Sequence, residues 1–161
     1  MHTADIEEIR RFYEAHQRAL YAYALTLTGC GSAAEDVLHT VFYRLLRLPA
    51  LPRDLKPYVY SAVRNGAVDG MRRAARSAPE ESIVAHLNGS TPPDRIALQD
   101  EVAHLLRAVN EDERECIVLK IYAGLTFDEI ARTRAVSPNT AASWYRRGME
   151  KMRLAAKENA S

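Results

Sequence analysis

Apolar residues recur along the first part of the chain at the three-to-four spacing of a helix. Ile6, Ile9, Tyr13, Leu20, Ala24 and Leu27 fall on one stripe, which predicts a long amphipathic first helix. Gly29-Cys30-Gly31 ends it, because glycine accepts the left-handed geometry of a helix stop. Ser32, followed three residues later by Glu35, reads as a capping box for a second helix over about Ala33 to Arg47. Its buried face holds Val37, Leu38, Val41, Phe42, Leu45 and Leu46. Pro49 and Pro52 then break the chain, and Asp54 caps a third helix running to about Arg76. Gly66 and Gly70 inside that helix each cost about 1 kcal/mol relative to Ala, so close packing against a neighbour is expected there.

The pattern stops at Ser77 and resumes near Asp94. Between them stand Pro79, Gly89, Ser90, Pro92 and Pro93, with little apolar content, which predicts a linker over residues 77–93. A helix opened by Pro92-Pro93-Asp94 then carries Ile96, Val102, Leu105, Leu106 and Val109. Asn110 with Glu113 forms a capping box ahead of Ile117, Val118, Ile121 and Tyr122, and Gly124 closes that helix. Thr126 with Glu129 caps a short helix, Phe127 to about Thr133. Ser137-Pro138 starts the last helix, with Ser as N-cap and Pro at the first helical position. No strand-like alternation interrupts the pattern. The expected fold class is all-α: two small helical domains, residues 1–76 and 94–161, joined by the linker.

The final pair of helices changes the picture from architecture to chemistry. A short helix, a tight connection and a longer basic helix form the helix-turn-helix pattern. Ile130 and Ala131 are expected to meet Ala141 and Tyr145 across the crossing. The outward positions of the last helix are Asn139, Thr140, Ala142, Ser143, Arg146 and Arg147. Amides, hydroxyls and guanidinium groups at such positions reach base edges and phosphates in a major groove.

Net charge is +1, yet the charges are sorted. One basic segment holds Arg53, Lys56, Arg64, Arg72, Arg73 and Arg76, and a second holds Arg146, Arg147, Lys151, Arg153 and Lys157. Glu80, Glu81, Asp94, Asp100, Glu101, Glu111, Asp112, Glu113 and Glu115 lie between them. Two basic segments separated by an acidic one point to two contacts with a polyanion. Solvated helix faces are the plain alternative on charge alone.

Several functions find no support in the residues. There are no paired carboxylates, no nucleophile motif and no phosphate loop, so no catalytic residue and no cofactor is expected. Cys30 and Cys116 stand alone, without a second Cys or a His at metal-ligand spacing, so no metal site is expected. No apolar run is long enough to cross a bilayer, and the N-terminal residues do not read as a secretion signal. The expectation is a cytoplasmic protein without membrane insertion.

Thr126-Phe-Asp-Glu-Ile-Ala131, Val136-Ser-Pro-Asn-Thr-Ala-Ala-Ser143, Arg146-Arg147 and Lys151-Met-Arg153 resemble region 4 of bacterial sigma factors of the extracytoplasmic-function (ECF) class. Leu20-Tyr-Ala-Tyr-Ala-Leu-Thr-Leu-Thr-Gly29, Ala34-Glu-Asp36, Val41-Phe42, Arg44-Leu45, Tyr58-Val-Tyr60, Val63-Arg-Asn65, Ala67, Asp69 and Arg72-Arg73 resemble region 2. The motifs cover nearly the whole chain in matching order. The resemblance implies a protein that binds core RNA polymerase, directs it to promoter DNA, helps melt it and is held by an anti-sigma factor.

Residue by residue, the resemblance implies three surfaces. Asp36, His39, Thr40 and Arg44 match the face that docks on polymerase. Tyr58, Tyr60, Arg64, Asn65, Arg72 and Arg73 match the part that reads the element near −10: arginines on phosphates, Asn65 on a base, tyrosines stacked on bases as the strands part or else packed in the core. Asn139, Thr140, Ser143, Arg146, Arg147 and Lys151 match the part that reads the element near −35. The chain departs from the family at His39, usually Gln; at Thr40, usually acidic; and at Ala142 and Trp144, often basic. Two other readings stay open: a regulator that uses only the helix-turn-helix, and a mimic that binds an anti-sigma factor without supporting initiation.

Overall fold

The computed structural model describes residues 2–77, 100, 103 and 107–159. Among these, every regular element is helical: α1 (Thr3–Thr28), α2 (Gly31–Leu46), α3 (Leu55–Ser77), α4 (Glu111–Ile117), which runs on into a wider π turn (Val118–Tyr122), α5 (Phe127–Arg134) and α6 (Pro138–Asn159). From Ala78 onward the expected linker lies outside the described residues, as does most of the helix expected after Pro93.

The first three helices form a bundle in which each touches the other two. Leu20, Tyr21, Tyr23, Leu38, Val41, Leu45, Val59 and Val63 are buried in it, each fully buried aliphatic side chain contributing about 1.5–3 kcal/mol. Gly29 ends α1 in the left-handed conformation, at φ +70°, and its N–H donates to the Leu25 carbonyl. The second helix begins earlier than Ser32 predicts. Cys30 is its N-cap and gives no side-chain hydrogen bond to the helix. Thr28 Oγ1 instead donates to the Cys30 carbonyl at 3.1 Å and fixes the corner between α1 and α2. In α3 the two glycines differ. A Cβ at Gly66 would stand 3.4 Å from Val37 Cγ1, the close approach expected, whereas a Cβ at Gly70 would meet nothing within 4 Å.

The second group of helices follows its caps. Asn110 Oδ1 accepts from the Glu113 N–H at 2.9 Å while Glu113 Oε1 accepts from the Asn110 N–H at 3.1 Å. Thr126 and Glu129 repeat the arrangement at 3.1 and 2.9 Å. The helix after Asn110 is not α-helical throughout. At Val118–Tyr122 it widens into the π turn, closed by the Ala123 N–H on the Val118 carbonyl at 3.2 Å. The extra residue turns Ile121 to solvent, although its spacing placed it with the apolar set.

The two groups are not separate globules. Helix α1 packs on the π turn and α4, and α3 packs on α5. One buried cluster runs from Leu20 and Tyr60 in the first group through Val118, Leu119 and Leu125 to Ile130 and Ala141 in the second. The two groups keep their own helices and also share buried apolar surface where they meet.

Candidate nucleic-acid and protein-binding surfaces

The helix-turn-helix is built by α5 and α6. Ile130, Ala131 and Ala141 are buried at the crossing, and Phe127 meets Tyr145 edge to face at 5.6 Å. The turn between the helices places Ala135 in the left-handed region, at φ +55°, a conformation that costs a residue with a Cβ about 1–2 kcal/mol. The N-cap is as expected: Ser137 Oγ accepts from the Thr140 N–H at 3.1 Å, with Pro138 as the first residue of α6.

On α6, Asn139, Arg146 and Arg147 are exposed and Thr140 and Ser143 are half-buried. Arg146 donates to Ser143 Oγ at 3.3 Å and Arg147 to the Ser143 carbonyl at 3.4 Å. These are weak local bonds that a phosphate or a guanine edge outcompetes. Lys151 is different. Its ammonium donates to Glu113 Oε1 at 2.8 Å and anchors α6 to α4. Burial pushes the Glu113 carboxyl up, but the bonds from Lys151 and from the Asn110 backbone outweigh it and hold it below the usual carboxylate range. Trp144 is half-buried against the core, with the Arg134 guanidinium 4.9 Å from its ring centre.

The third helix divides its candidates. Asn65, Arg72 and Arg73 are exposed, and Tyr58 is 41% exposed. Tyr60 is 0% exposed, which matches the core-packed one of its two readings and not the base-stacking one. Its hydroxyl lies 3.1 Å from His16 Nδ1, and its ring packs beside those of His16 and Tyr23. Withdrawing it toward DNA would open the bundle. Arg64 faces the other half of the molecule, where its Nε donates to Glu115 Oε1 at 3.1 Å.

The second helix carries Asp36, His39, Thr40 and Arg44, all exposed and all on one side. Beside them runs an apolar groove between α1 and α2, lined by Ile6, Ile9, Phe42, Tyr43 and Leu46. Ile6, Tyr43 and Leu46 are among the large apolar side chains that remain exposed. A charged rim next to an apolar floor is the usual composition of a protein-binding face.

Sequence reasoning missed the cluster around Glu115. Its side chain is only 7% exposed. Oε1 accepts from the Tyr23 hydroxyl at 2.9 Å and from Arg64, while Oε2 lies 2.9 Å from Arg134 Nη1. Arg134 also donates to Asp112 Oδ1 at 2.6 Å. Burial, and then the Glu115 charge, push the Tyr23 hydroxyl well above its ordinary pKa, so it remains a donor. A signal was present. Glu115 stands three and four residues before Val118 and Leu119, on the buried stripe, where a carboxylate requires partners. No groups of three or more His, Cys, Asp or Glu placed to hold a metal occur among the described residues, and no described helix is long and apolar enough to cross a membrane.

Known proteins resemble both halves. Residues 12–77 match the family model of sigma-70 region 2, and residues 99–152 match that of sigma-70 region 4. The ECF RNA polymerase sigma factor SigL of Mycobacterium tuberculosis is 26% identical, the match covering 97% of this chain and 93% of the relative. The RNA polymerase sigma factor CarQ of Myxococcus xanthus is 24% identical, over 88% of this chain and 84% of CarQ. The ECF sigma factor SigK of Mycolicibacterium vanbaalenii is 27% identical, over 92% and 82%. Among solved structures, the sigma factor RpoE of Bartonella quintana, in complex with the anti-sigma factor NepR, superimposes with a TM-score of 0.71 at 20% identity. That likeness covers 94% of this chain and 98% of RpoE, and shows the fold.

Proposed function

This chain belongs to the sigma-70 family, in its ECF class, and from that premise we propose that it binds core RNA polymerase, directs it to promoters with two elements and assists their melting. It does so without catalysis of its own. The observation that carries the reading is the joint presence, in one chain, of the exposed α2 face and of a helix-turn-helix whose basic side chains point outward.

The roles follow from exposure and chemistry. Asp36, His39, Thr40 and Arg44 dock on the polymerase, with the neighbouring apolar groove as the floor of the contact. Asn139, Thr140, Ser143, Arg146 and Arg147 read the element near −35. With Ala142 and Trp144 at two positions that are often basic in the family, hydroxyl and amide contacts and groove shape supply more of the recognition. Tyr58, Asn65, Arg72 and Arg73 meet the element near −10, and Arg64 joins them when its bond to Glu115 is released. Tyr58, the exposed aromatic of the pair, stacks on unpaired bases. The region 2-like unit spans residues 1–76, the region 4-like unit residues 94–161, and residues 77–93 link them. An anti-sigma factor is a further proposed partner, supported by the complex in which the RpoE structure was solved.

Transcription with purified core polymerase tests the reading. The expected outcome is initiation at specific sites only when this protein is added. Replacing Asp36 and Arg44 together by Ala should weaken core binding while helix content stays unchanged. A protein that binds DNA but gives no initiation is a regulator of the simpler kind. One that binds neither DNA nor core, but captures an anti-sigma factor, is a mimic. Either result overturns the proposal.

A further inference from the structure

Ala142 and Trp144 stand at two positions of α6 that are often basic in the family, and the structure places them differently. Trp144 is turned to the core, with the Arg134 guanidinium 4.9 Å from its ring centre. Ala142 is half-buried on the outward side, about one turn before Arg146. Together with Phe127, Tyr145, Arg146 and Met149 it lines a shallow hollow along the helix. We propose that Ala142 determines specificity: it takes the C5-methyl group of a thymine at one position of the −35 element, beside the base pair under Arg146. This deepens the sigma-factor reading of α6 and rests on it.

The surroundings of Ala142 are apolar on one side and cationic on the other. Ala141 before it is 0% exposed and Gly148 is buried, which fixes the inward side of α6. At about 100° per residue, Asn139 and Arg146 lie just to one side of Ala142, and Tyr145 and Met149 just to the other. The Tyr145 ring is braced edge to face by Phe127 at 5.6 Å, so the apolar wall is fixed. The guanidinium groups are drawn away from that wall. Arg146 and Arg147 both bond to Ser143, which lies beyond Arg146 as seen from Ala142. A base pair at Ala142 therefore meets a methyl group and an apolar edge, and no side-chain donor or acceptor from that position.

Thymine alone among the bases offers an apolar group in the major groove. Adenine and cytosine present amino donors there, and guanine presents acceptors. Against Ala142 those groups would lose water without gaining a partner, a penalty that the thymine methyl does not incur. Spacing agrees. A turn of helix advances about 5.4 Å, and base pairs follow one another about every 3.4 Å. Ala142 and Arg146, about one turn apart, thus meet neighbouring base pairs. A guanidinium at position 142 would recruit guanine or a phosphate instead. Alanine gives up that attraction and leaves a choice of base in its place.

Holoenzyme made from core polymerase and the full chain tests this in two steps. Selection from promoters randomised near −35 should give wild type a thymine position that Ala142→Arg converts to guanine. A duplex promoter carrying deoxyuridine for that single thymine then removes the C5-methyl group and nothing else. Binding by wild type should weaken about fourfold, the worth of one buried methyl-sized group, and binding by Ala142→Gly by less than about twofold. Each ratio compares two DNAs on one protein, so any loss of helix stability in the glycine variant cancels. Uracil bound as tightly as thymine by wild type, or an equal loss in both proteins, overturns the proposal. So does a selected block with no thymine that Ala142→Arg changes. With the block itself present, these results leave the sigma-factor reading standing. A holoenzyme with no base preference near −35 sinks that reading and the proposal together.

Discussion

The two helices proposed to face DNA hold their cations in different ways. On α6, Arg146 and Arg147 bond to Ser143 of the same helix, three and four residues away. On α3, Arg64 is bonded to a residue 51 positions along the chain, in the opposite half. A local bond is exchanged for a phosphate without moving any backbone. A bond across the molecule must be broken, leaving a buried carboxylate with one partner fewer, before the guanidinium can meet a phosphate. These two arginines of α6 keep to their own helix, whereas Arg64 of α3 is tied to the opposite half. A basic helix is not by that fact an available one.

The largest effect should come from the packing that seats α6. A Cβ at Gly148 would stand 2.7 Å from Ile117 Cδ1 and 3.1 Å from Glu113 Cβ. Gly148→Val forces α6 away from α4, with an expected loss of about 3 kcal/mol in urea unfolding. If the loss is small, α6 is not seated as described and its half of the comparison falls. Next come the arginines. Arg146→Ala should cost roughly 1–3 kcal/mol of DNA affinity if it contacts a guanine edge. If it contacts phosphate, the slope of affinity against salt should shrink by about one unit. A titration at several salt concentrations separates the two, and no change means that α6 sits differently on DNA.

A smaller effect of the opposite sign is expected on α3. Gly70 has open space where a Cβ would go, so Gly70→Ala should stabilise the protein by up to about 1 kcal/mol, read as a raised unfolding midpoint. A loss would reveal a contact at that position.

The smallest effect is a pH dependence of the first bundle. Burial, and then the charge of Lys56, hold the His16 imidazole below its ordinary pKa. The unfolded chain takes up this proton near pH 6.5, the folded chain only at lower pH. Stability is therefore full above about pH 6.5, falls as pH drops through that value and levels off below the folded pKa. Urea midpoints at about pH 7.5 and about pH 5.5 should differ for wild type, and less for His16→Phe. An equal difference in both proteins would remove His16 from the account.

Legibility in the sequence followed the range of the interaction. The caps at Asn110, Thr126 and Ser137 were readable because an N-cap and its partner lie within one turn, and the same side chains make those bonds in the fold. Periodicity placed Leu38, Val41 and Leu45 on the buried face of α2 correctly, but Leu46, expected there too, is 45% exposed at the helix end. Tyr60 was ambiguous because its spacing fits a core position and a base-stacking position equally well, and only the neighbours His16 and Tyr23 decide between them. The Glu115 cluster joins residues up to 92 positions apart, and no local rule pairs them. The start of α2 was misplaced because Ser32 and Glu35 satisfy a capping pattern, while the corner made by Thr28 and Cys30 sets the first turn earlier.

The central claim is that α3 and α6 read different elements of one promoter. Selection of transcribed sequences from a randomised promoter library, with core polymerase and wild-type protein, Asn65→Ala or Arg146→Ala, tests it most directly. The account predicts two blocks of base preference for wild type, near −10 and near −35. Asn65→Ala should relax preference only in the first block and Arg146→Ala only in the second. Relaxation of the same block by both variants, or a single block for wild type, would contradict it.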